Sequence, residues 1–154
     1  MYRRLFEFAE EHVFPRLSKE AKLREIQTWQ NFLADDSNFK FSPVLVHQDL
    51  QTEHIIADHK LGTVAGIIDW GDCGIGDPAM DFVGLFGRLG EEFVREVLGH
   101  YRLADDGIMR RARFYDVVVP YHWVKFDLEA GKDISFEDGI DAIESRQGYS
   151  QAPT

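Results

Sequence analysis

Three polar side chains follow apolar segments near the middle of this chain. Asp49 comes after the apolar run 44–46, His54 lies five residues further on, and Asp69 ends the apolar run 66–68. A carboxylate at the end of a buried strand is costly unless it is paired, hydrogen-bonded or bound to a metal. Two such strand ends with a histidine between them can hold a hard cation, since Mg²⁺ needs few protein ligands and keeps several waters. Buried acids also occur in purely structural networks, and spacing alone does not separate the two interpretations.

A carboxylate beside a bound cation can also serve as a general base. Phosphoryl transfer requires an aligned nucleophile, an acceptor for its proton and cations on the phosphates. In that chemistry Asp49 suits the base and Asp69 suits the metal. A metal-dependent hydrolase that uses the same acids is a weaker interpretation, because such enzymes usually have more histidine ligands than this chain offers.

The two segments that carry these residues resemble the catalytic loop and the metal-binding segment of the aminoglycoside phosphotransferase family. The first segment is 46–56, VHQDLQTEHII, and the second is 66–82, GIIDWGDCGIGDPAMDF. That family is related to the protein kinases, and the segments are also similar to those of choline, homoserine and macrolide kinases. Two features point closer to the aminoglycoside 2″-phosphotransferases: His54, where most of the family has asparagine, and the run 66–72.

The resemblance implies a role for each matching residue. Asp49 would be the catalytic base, which orients the acceptor hydroxyl and takes its proton. Asp69 and His54 would hold Mg²⁺ on the phosphates of ATP or GTP. His47 would brace the catalytic loop, and Asp72 would meet the amines of a cationic substrate.

Other acidic residues are assigned to structure or to the acceptor. Asp77 looks like a helix cap, and Asp81 is expected to make hydrogen bonds between helix and loop. In the family, acidic residues on the helices after Asp72 line the acceptor pocket. Such a pocket would attract polyamines such as aminoglycosides, whose phosphorylation gives antibiotic resistance. The residues concerned are Glu91, Glu92, Asp127 and Glu129.

A complete enzyme of this family also has an N-terminal lobe with a phosphate-covering loop, a strand lysine and the hinge that holds the base of the nucleotide. No segment before Val44 resembles these parts, and Lys19, Lys22 and Lys40 occur in helical or loop contexts. We therefore expect residues 1–150 to form a kinase-like C-terminal lobe without the nucleotide lobe, inactive on its own. The alternative is a non-catalytic remnant or binding module that keeps the fold.

Periodicity and capping signals predict the elements that must position these residues. The fold class is α+β, mostly helical, with a small β-hairpin that carries the catalytic and metal segments. A strand end is predicted at 43–46, and the hairpin joins 55–57 to 64–68 through a turn at 58–62. Helices are predicted at 2–12, 18–34, 78–89, 91–101, 106–130 and 136–147.

Composition narrows the class of protein. The 154 residues include 27 acidic and 17 basic side chains, and the net charge of −10 disfavours nucleic acid and anionic membranes as partners. No apolar run approaches the roughly 20 residues that span a bilayer, no secretory signal opens the chain, and Cys73 is the single cysteine. These features indicate a cytoplasmic protein of one domain. Without a nucleotide lobe, an apolar face near residues 43–70 would promote self-association.

Overall fold

The protein divides into two compact units in the computed structural model, which describes residues 2–131 and 135–146. One unit comprises Met1–Asp36 with Val117–Thr154, and the other comprises Ser37–Asp116. Helix predominates, and the β-structure is confined to short antiparallel pairs in the second unit. The predicted fold class, α+β with a majority of helix, is confirmed.

Helices form most of the described part of the chain. They are α1 Tyr2–Phe8, α2 Lys19–Ala34, α3 Val83–His100, α4 Ile108–Ala130 and α5 Phe136–Ser145. A π-helical turn, Ala9–Val13, and a 3-10 turn, Phe14–Arg16, continue α1, so the first predicted helix is not α-helical throughout. The predicted end of the last helix, at Gln147, lies outside the described residues. Among residues 2–131 and 135–146, no helix is both long and apolar enough to cross a membrane.

Local signals explain how the helices begin and where α3 is interrupted. The side-chain oxygen of Ser18 accepts a hydrogen bond from the amide of Ala21 at 3.2 Å, as an N-cap does. Asp77 caps the 3-10 turn that leads into α3. Gly90, with φ of 82°, breaks the helical backbone inside α3 at the point where the sequence predicts two separate helices. Glycine adopts this conformation without steric cost, so the helix can change course there.

Two antiparallel strand pairs lie in the second unit. β1 Val44–Val46 pairs with β4 Gly74–Gly76, and β2 Ile55–Asp58 pairs with β3 Thr63–Ile67. The β2–β3 pair is the predicted hairpin. The strand β4 was not predicted, because its glycines read as turn residues and its partner lies far away in the sequence.

The first unit closes around an aromatic cluster that contains a buried carboxylate. The ring centroid of Trp29 lies 5.3 Å from that of Tyr121 and 5.6 Å from that of Phe6. Glu25 is only 1% exposed, and it accepts hydrogen bonds from the Tyr121 hydroxyl at 2.8 Å and from Arg24 at 3.1 Å. Burial and the neighbouring Glu25 charge raise the pKa of Tyr121. The carboxylate is tolerated in this core because it is both paired and hydrogen-bonded.

The second unit is organised around the buried guanidinium of Arg111. It donates to Asp77 at 2.6 and 3.0 Å and to Asp105 at 2.8 Å. The hydroxyl of Tyr115 also donates to Asp77, at 2.7 Å. Asp77 therefore does more than cap a turn: it attaches the segment after β4 to α4.

Large apolar side chains are exposed on both strand pairs. Leu45 and Ile75 are direct cross-strand partners, and they are 61% and 74% exposed. The other exposed members are Ile56, Leu61, Val64, Ile67, Ile68 and Trp70. These eight side chains are called the apolar β residues below. Seven of them lie within residues 43–70, the range in which the sequence predicts an apolar face.

Removal of Asp77 should strongly destabilise the second unit. The substitution Asp77→Ala leaves the buried Arg111 with Asp105 alone, so we expect the free energy of unfolding to fall by about 3–5 kcal/mol. Urea unfolding followed by circular dichroism measures this change. The control is Arg88→Ala, which removes an exposed ion pair with Glu53 and should have a far smaller effect. Equal losses in the two variants would contradict the importance of the buried pair.

Asp105 should make the stability of the fold depend on pH. Hydrogen bonds from Arg111 hold the pKa of Asp105 below its usual value of 3.8. Because the folded pKa is the lower one, this contribution is complete above about pH 4 and is lost as the pH falls through the folded value. Asp105→Asn should therefore lower the free energy of unfolding at neutral pH, by an amount that shrinks in acid. Urea titrations across this range test it, and a difference independent of pH would count against it.

The apolar β residues should cause self-association when nothing covers them. We expect sedimentation velocity to show species larger than the monomer that increase with protein concentration. The double substitution of Leu45→Lys and Ile75→Lys should favour the monomer. Leu23→Lys, at a residue of α2 that is 60% exposed, is the matched control and should not. A wild-type chain that remains monomeric at every concentration would show this expectation to be wrong.

Candidate functional site

The imidazole of His54 lies between the carboxylates of Asp49 and Asp69. Its Nδ1 is 3.9 Å from Asp49 Oδ2, and its Nε2 is 3.6 Å from Asp69 Oδ2. The side chains of Asp49 and Asp69 are 48% and 67% exposed, whereas that of His54 is 18% exposed. Asp49 and His54 from the segment 46–56 thus meet Asp69 from the segment 66–82, with both carboxylates accessible to a ligand.

A backbone contact sets the tautomer of His54. Its Nδ1 is 2.7 Å from the carbonyl oxygen of Asp49, and a carbonyl oxygen can only accept, so Nδ1 carries the proton. In the neutral ring, Nε2 then has a free lone pair on the side of Asp69. Nε2 and the Asp69 carboxylate are therefore two donor atoms for a cation on the same side of the ring.

Local structure explains how these side chains come together. His54 ends a 3-10 turn, and its carbonyl accepts a hydrogen bond from the amide of Ile68 at 3.0 Å, which places the start of β2 beside the end of β3. Asp69 then has φ of 62° and ψ of 54°, in the left-handed region. Aspartate enters this region more readily than most residues, and the chain turns sharply there.

His47 is buried behind the site and links two of its segments. Its Nε2 lies 2.8 Å from the carbonyl oxygen of Ile68, so this nitrogen donates. Its ring is stacked 5.7 Å from that of His54 and lies 4.8 Å from that of Trp70. The loop that leads to Asp49 is thereby attached to the end of β3.

Two glutamines beside Asp49 were not singled out from the sequence. Gln51 Nε2 donates to Asp49 Oδ1 at 3.4 Å. Gln48 has φ of 70°, and its amide donates to Asp81 Oδ1 at 3.0 Å, which is a bond of the helix-to-loop kind expected for Asp81. No sequence pattern marks a glutamine for the left-handed region, so only the structure reveals this part of the loop.

The acids assigned to a cationic substrate differ in their surroundings. Asp72 and Glu92 are exposed. Glu91 accepts a hydrogen bond from Arg113 Nε at 3.0 Å and also pairs with Arg95. The hydrogen bond from Arg113 holds the pKa of Glu91 below its usual value, and the two guanidinium groups balance its charge. Recognition of a substrate by these three acids stays a prediction.

Asp127 is not placed to line an acceptor pocket, so the expectation for this residue was wrong. It is 1% exposed and accepts hydrogen bonds from the hydroxyl of Ser135, at 3.0 Å, and from the amide of the same residue. Its carboxylate instead holds the chain just before α5. Glu129 is exposed and pairs with Lys125 on the same helix.

A partly hydrated Mg²⁺ ion needs no more protein donors than His54 and Asp69 offer. In the described ranges, no three His, Cys, Asp or Glu side chains are grouped so as to hold a metal. His54 and Asp69 supply two donors, and Mg²⁺ commonly takes few protein ligands and completes its shell with water and phosphate oxygens. The carboxylate of Asp49 lies beside Nδ1 of His54, on the other side of the ring from Nε2 and Asp69.

Sequence comparison places the chain among phosphotransferases. Residues 2–115 match the phosphotransferase enzyme family, APH. A stretch of 69 residues is 36% identical to viomycin phosphotransferase of Streptomyces vinaceus, and it covers 44% of this chain and 24% of that protein. The range 2–115 that matches the family includes both segments that carry the site.

Solved structures show the same fold. The GDP and kanamycin complex of APH(2″)-IIia aligns with a TM-score of 0.80 and 27% identity over 93% of this chain and 49% of that one. Macrolide 2′-phosphotransferase type I aligns with a TM-score of 0.75 and 21% identity over 95% and 48%, a likeness of fold alone. The chain thus spans about half the length of these structures, and its mostly helical fold is that of a kinase-like lobe. The resemblance read from the two segments is confirmed, and the chain belongs to the phosphotransferase enzyme family.

Proposed function

We propose that this chain is the acceptor-binding and metal-binding lobe of an enzyme that transfers the γ-phosphate of ATP or GTP to a hydroxyl of a small molecule. The observation that carries the proposal is the position of His54 between Asp49 and Asp69, with Asp49 at one ring nitrogen and Asp69 at the other. Membership of the family supports the reaction class. The kanamycin complex of one structural relative makes an aminoglycoside the first acceptor to test.

Asp49 is the proposed base. Its carboxylate is 48% exposed, and one of its oxygens accepts a hydrogen bond from Gln51. The carboxylate can therefore be held in place by the loop and still receive the proton of an acceptor hydroxyl. His54 contributes to this arrangement through the backbone of Asp49, to which its Nδ1 donates.

His54 and Asp69 are the proposed metal donors. Mg²⁺ bound there would offset the negative charge of the nucleotide phosphates. Two backbone features keep the donors aligned: the hydrogen bond at Nδ1 of the imidazole and the left-handed conformation of Asp69. Both features fix the direction of a donor atom, and fixed donors favour binding of a cation.

Turnover is expected to need a nucleotide-holding lobe that these 154 residues do not supply. The chain spans about half the length of its structural relatives, and no glycine-rich loop or strand lysine precedes Val44. The second candidate function is a non-catalytic module that keeps the fold and binds the small molecule. Because ATP and GTP are the expected phosphate donors, the proposed location of the enzyme is the cytoplasm.

Asp49→Asn should abolish most phosphate transfer. We expect kcat to fall by about 10²- to 10⁴-fold, because the amide cannot accept the hydroxyl proton.

Asp69→Asn should raise the Mg²⁺ concentration needed for half-maximal rate. The assay measures transfer from ATP and GTP to kanamycin and viomycin, with the chain alone and mixed with the N-terminal half of APH(2″)-IIia. Asp106→Asn, at an exposed acid outside the site, is the control and should leave the rate unchanged.

Calorimetry with Mg²⁺, nucleotide and kanamycin separates the two candidate functions. The enzyme lobe should bind nucleotide weakly alone and more tightly once the N-terminal half is added. Binding of kanamycin without transfer from either nucleotide, with and without the added half, would favour the binding module. An Asp49→Asn variant as active as the wild type would remove Asp49 from the role of base.

A further inference from the structure

The loop that carries Asp49 is held by the 3-10 turn that leads into α3. The amide of Gln48 donates to Asp81 Oδ1 at 3.0 Å. Gln48 has φ of 70°, a conformation that glutamine rarely adopts and that persists only where surrounding contacts impose it. Asp81 thus contacts the residue immediately before the proposed base, at a position where the backbone is in the left-handed region.

Gly84 contacts the same loop on the other side of Asp49. A Cβ atom added at Gly84 would collide with the carbonyl oxygen of Leu50 and lie 2.8 Å from Gln51 Oε1. The first neighbour is backbone and cannot move aside without shifting the loop. The second belongs to the amide whose Nε2 donates to Asp49 Oδ1. The missing side chain at Gly84 therefore makes room for the group that touches the carboxylate of Asp49.

The geometry assigns Asp81 and Gly84 as a positioning clamp for Asp49, with Gln51 as the contact that reaches the carboxylate. Asp81 accepts a hydrogen bond from the backbone of Gln48, before the base. Gly84 leaves room for the carbonyl oxygen of Leu50 and the side-chain amide of Gln51, after the base. Neither residue touches the reacting atoms, so both act through the loop. The catalytic meaning of the clamp rests on the proposed function, whereas its geometry does not.

Amide hydrogen exchange of Gln48, resolved by NMR on the intact chain, tests the Asp81 contact. Asp81→Ala removes the acceptor, so exchange at Gln48 should accelerate by about tenfold or more. The backbone amide of Arg111, which donates to the carbonyl oxygen of Gly107 just before α4, is the internal reference and should change much less. Asp81→Asn keeps a neutral oxygen and should give a smaller acceleration. Equal acceleration at Gln48 and Arg111, or none at Gln48, would overturn the contact; if the alanine variant does not fold, the asparagine variant decides.

The carboxyl ¹³C resonance of Asp49 tests Gly84 and Gln51. Gly84→Ala should move this resonance, because Gln51 can no longer keep its place. Gly87→Ala is the matched control one turn along α3, where the added methyl meets only Asp116 at an ordinary 3.5 Å, and it should leave the resonance unchanged. Gln51→Met removes the donor without crowding the helix and should also move it. Unchanged resonances in both the Gly84 and Gln51 variants would overturn the clamp.

Turnover links the clamp to catalysis. In the assay of the proposed function, Gly84→Ala should lower kcat by about tenfold or more with little change in KM, since a misplaced base slows chemistry rather than binding. Gly87→Ala should match the wild type in both constants. A rise in KM with kcat unchanged would refute the positioning role. If the wild type shows no turnover, the proposed function fails, and the two NMR measurements still decide the clamp.

Discussion

The buried pair of Asp77 and Arg111 is the interaction on which the geometry of the second unit depends. A guanidinium withdrawn from water must be met by acceptors, and Asp77 and Asp105 supply them. That requirement ties the segment after β4 to α4. Asp81 lies four residues after Asp77 in the same segment. The ion pair of Asp77 with Arg111 therefore helps to place Asp81 within hydrogen-bonding distance of Gln48.

Backbone strain is concentrated beside the candidate site. Within the described residues, the non-glycine positions with positive φ are Gln48 and Asp69. One precedes the proposed base, and the other is itself a proposed metal donor. Such conformations are costly and persist where neighbouring contacts impose them, which is common at functional sites. Here the contacts are the carboxylate of Asp81 for Gln48 and the hydrogen bond between Ile68 and His54 just before Asp69.

The surroundings of the site combine open carboxylates with exposed apolar side chains. Ile56 follows His54 by two residues, and Ile68 directly precedes Asp69; both are exposed. Apolar surface of this kind is unfavourable in water unless something covers it. The proposed function accounts for both features, because a nucleotide-holding lobe would cover this surface and close over the site. Glu25 in the first unit is the contrasting case: its carboxylate is buried, and it accepts hydrogen bonds from Tyr121 and Arg24.

Residue type and short-range spacing determined much of this protein. They located both strands of the β2–β3 hairpin, the cap at Ser18 and the segments around Asp49 and Asp69, because hairpins, caps and binding loops are encoded within a few residues. Partners far apart in the chain were decided only by the tertiary structure. The pairing of β1 with β4, the bond of Gln48 to Asp81 and the enclosure of Arg111 by Asp77 depend on which surfaces the whole fold buries. Local propensity cannot specify these contacts, because the free energy of burial depends on the surfaces that meet in the assembled structure.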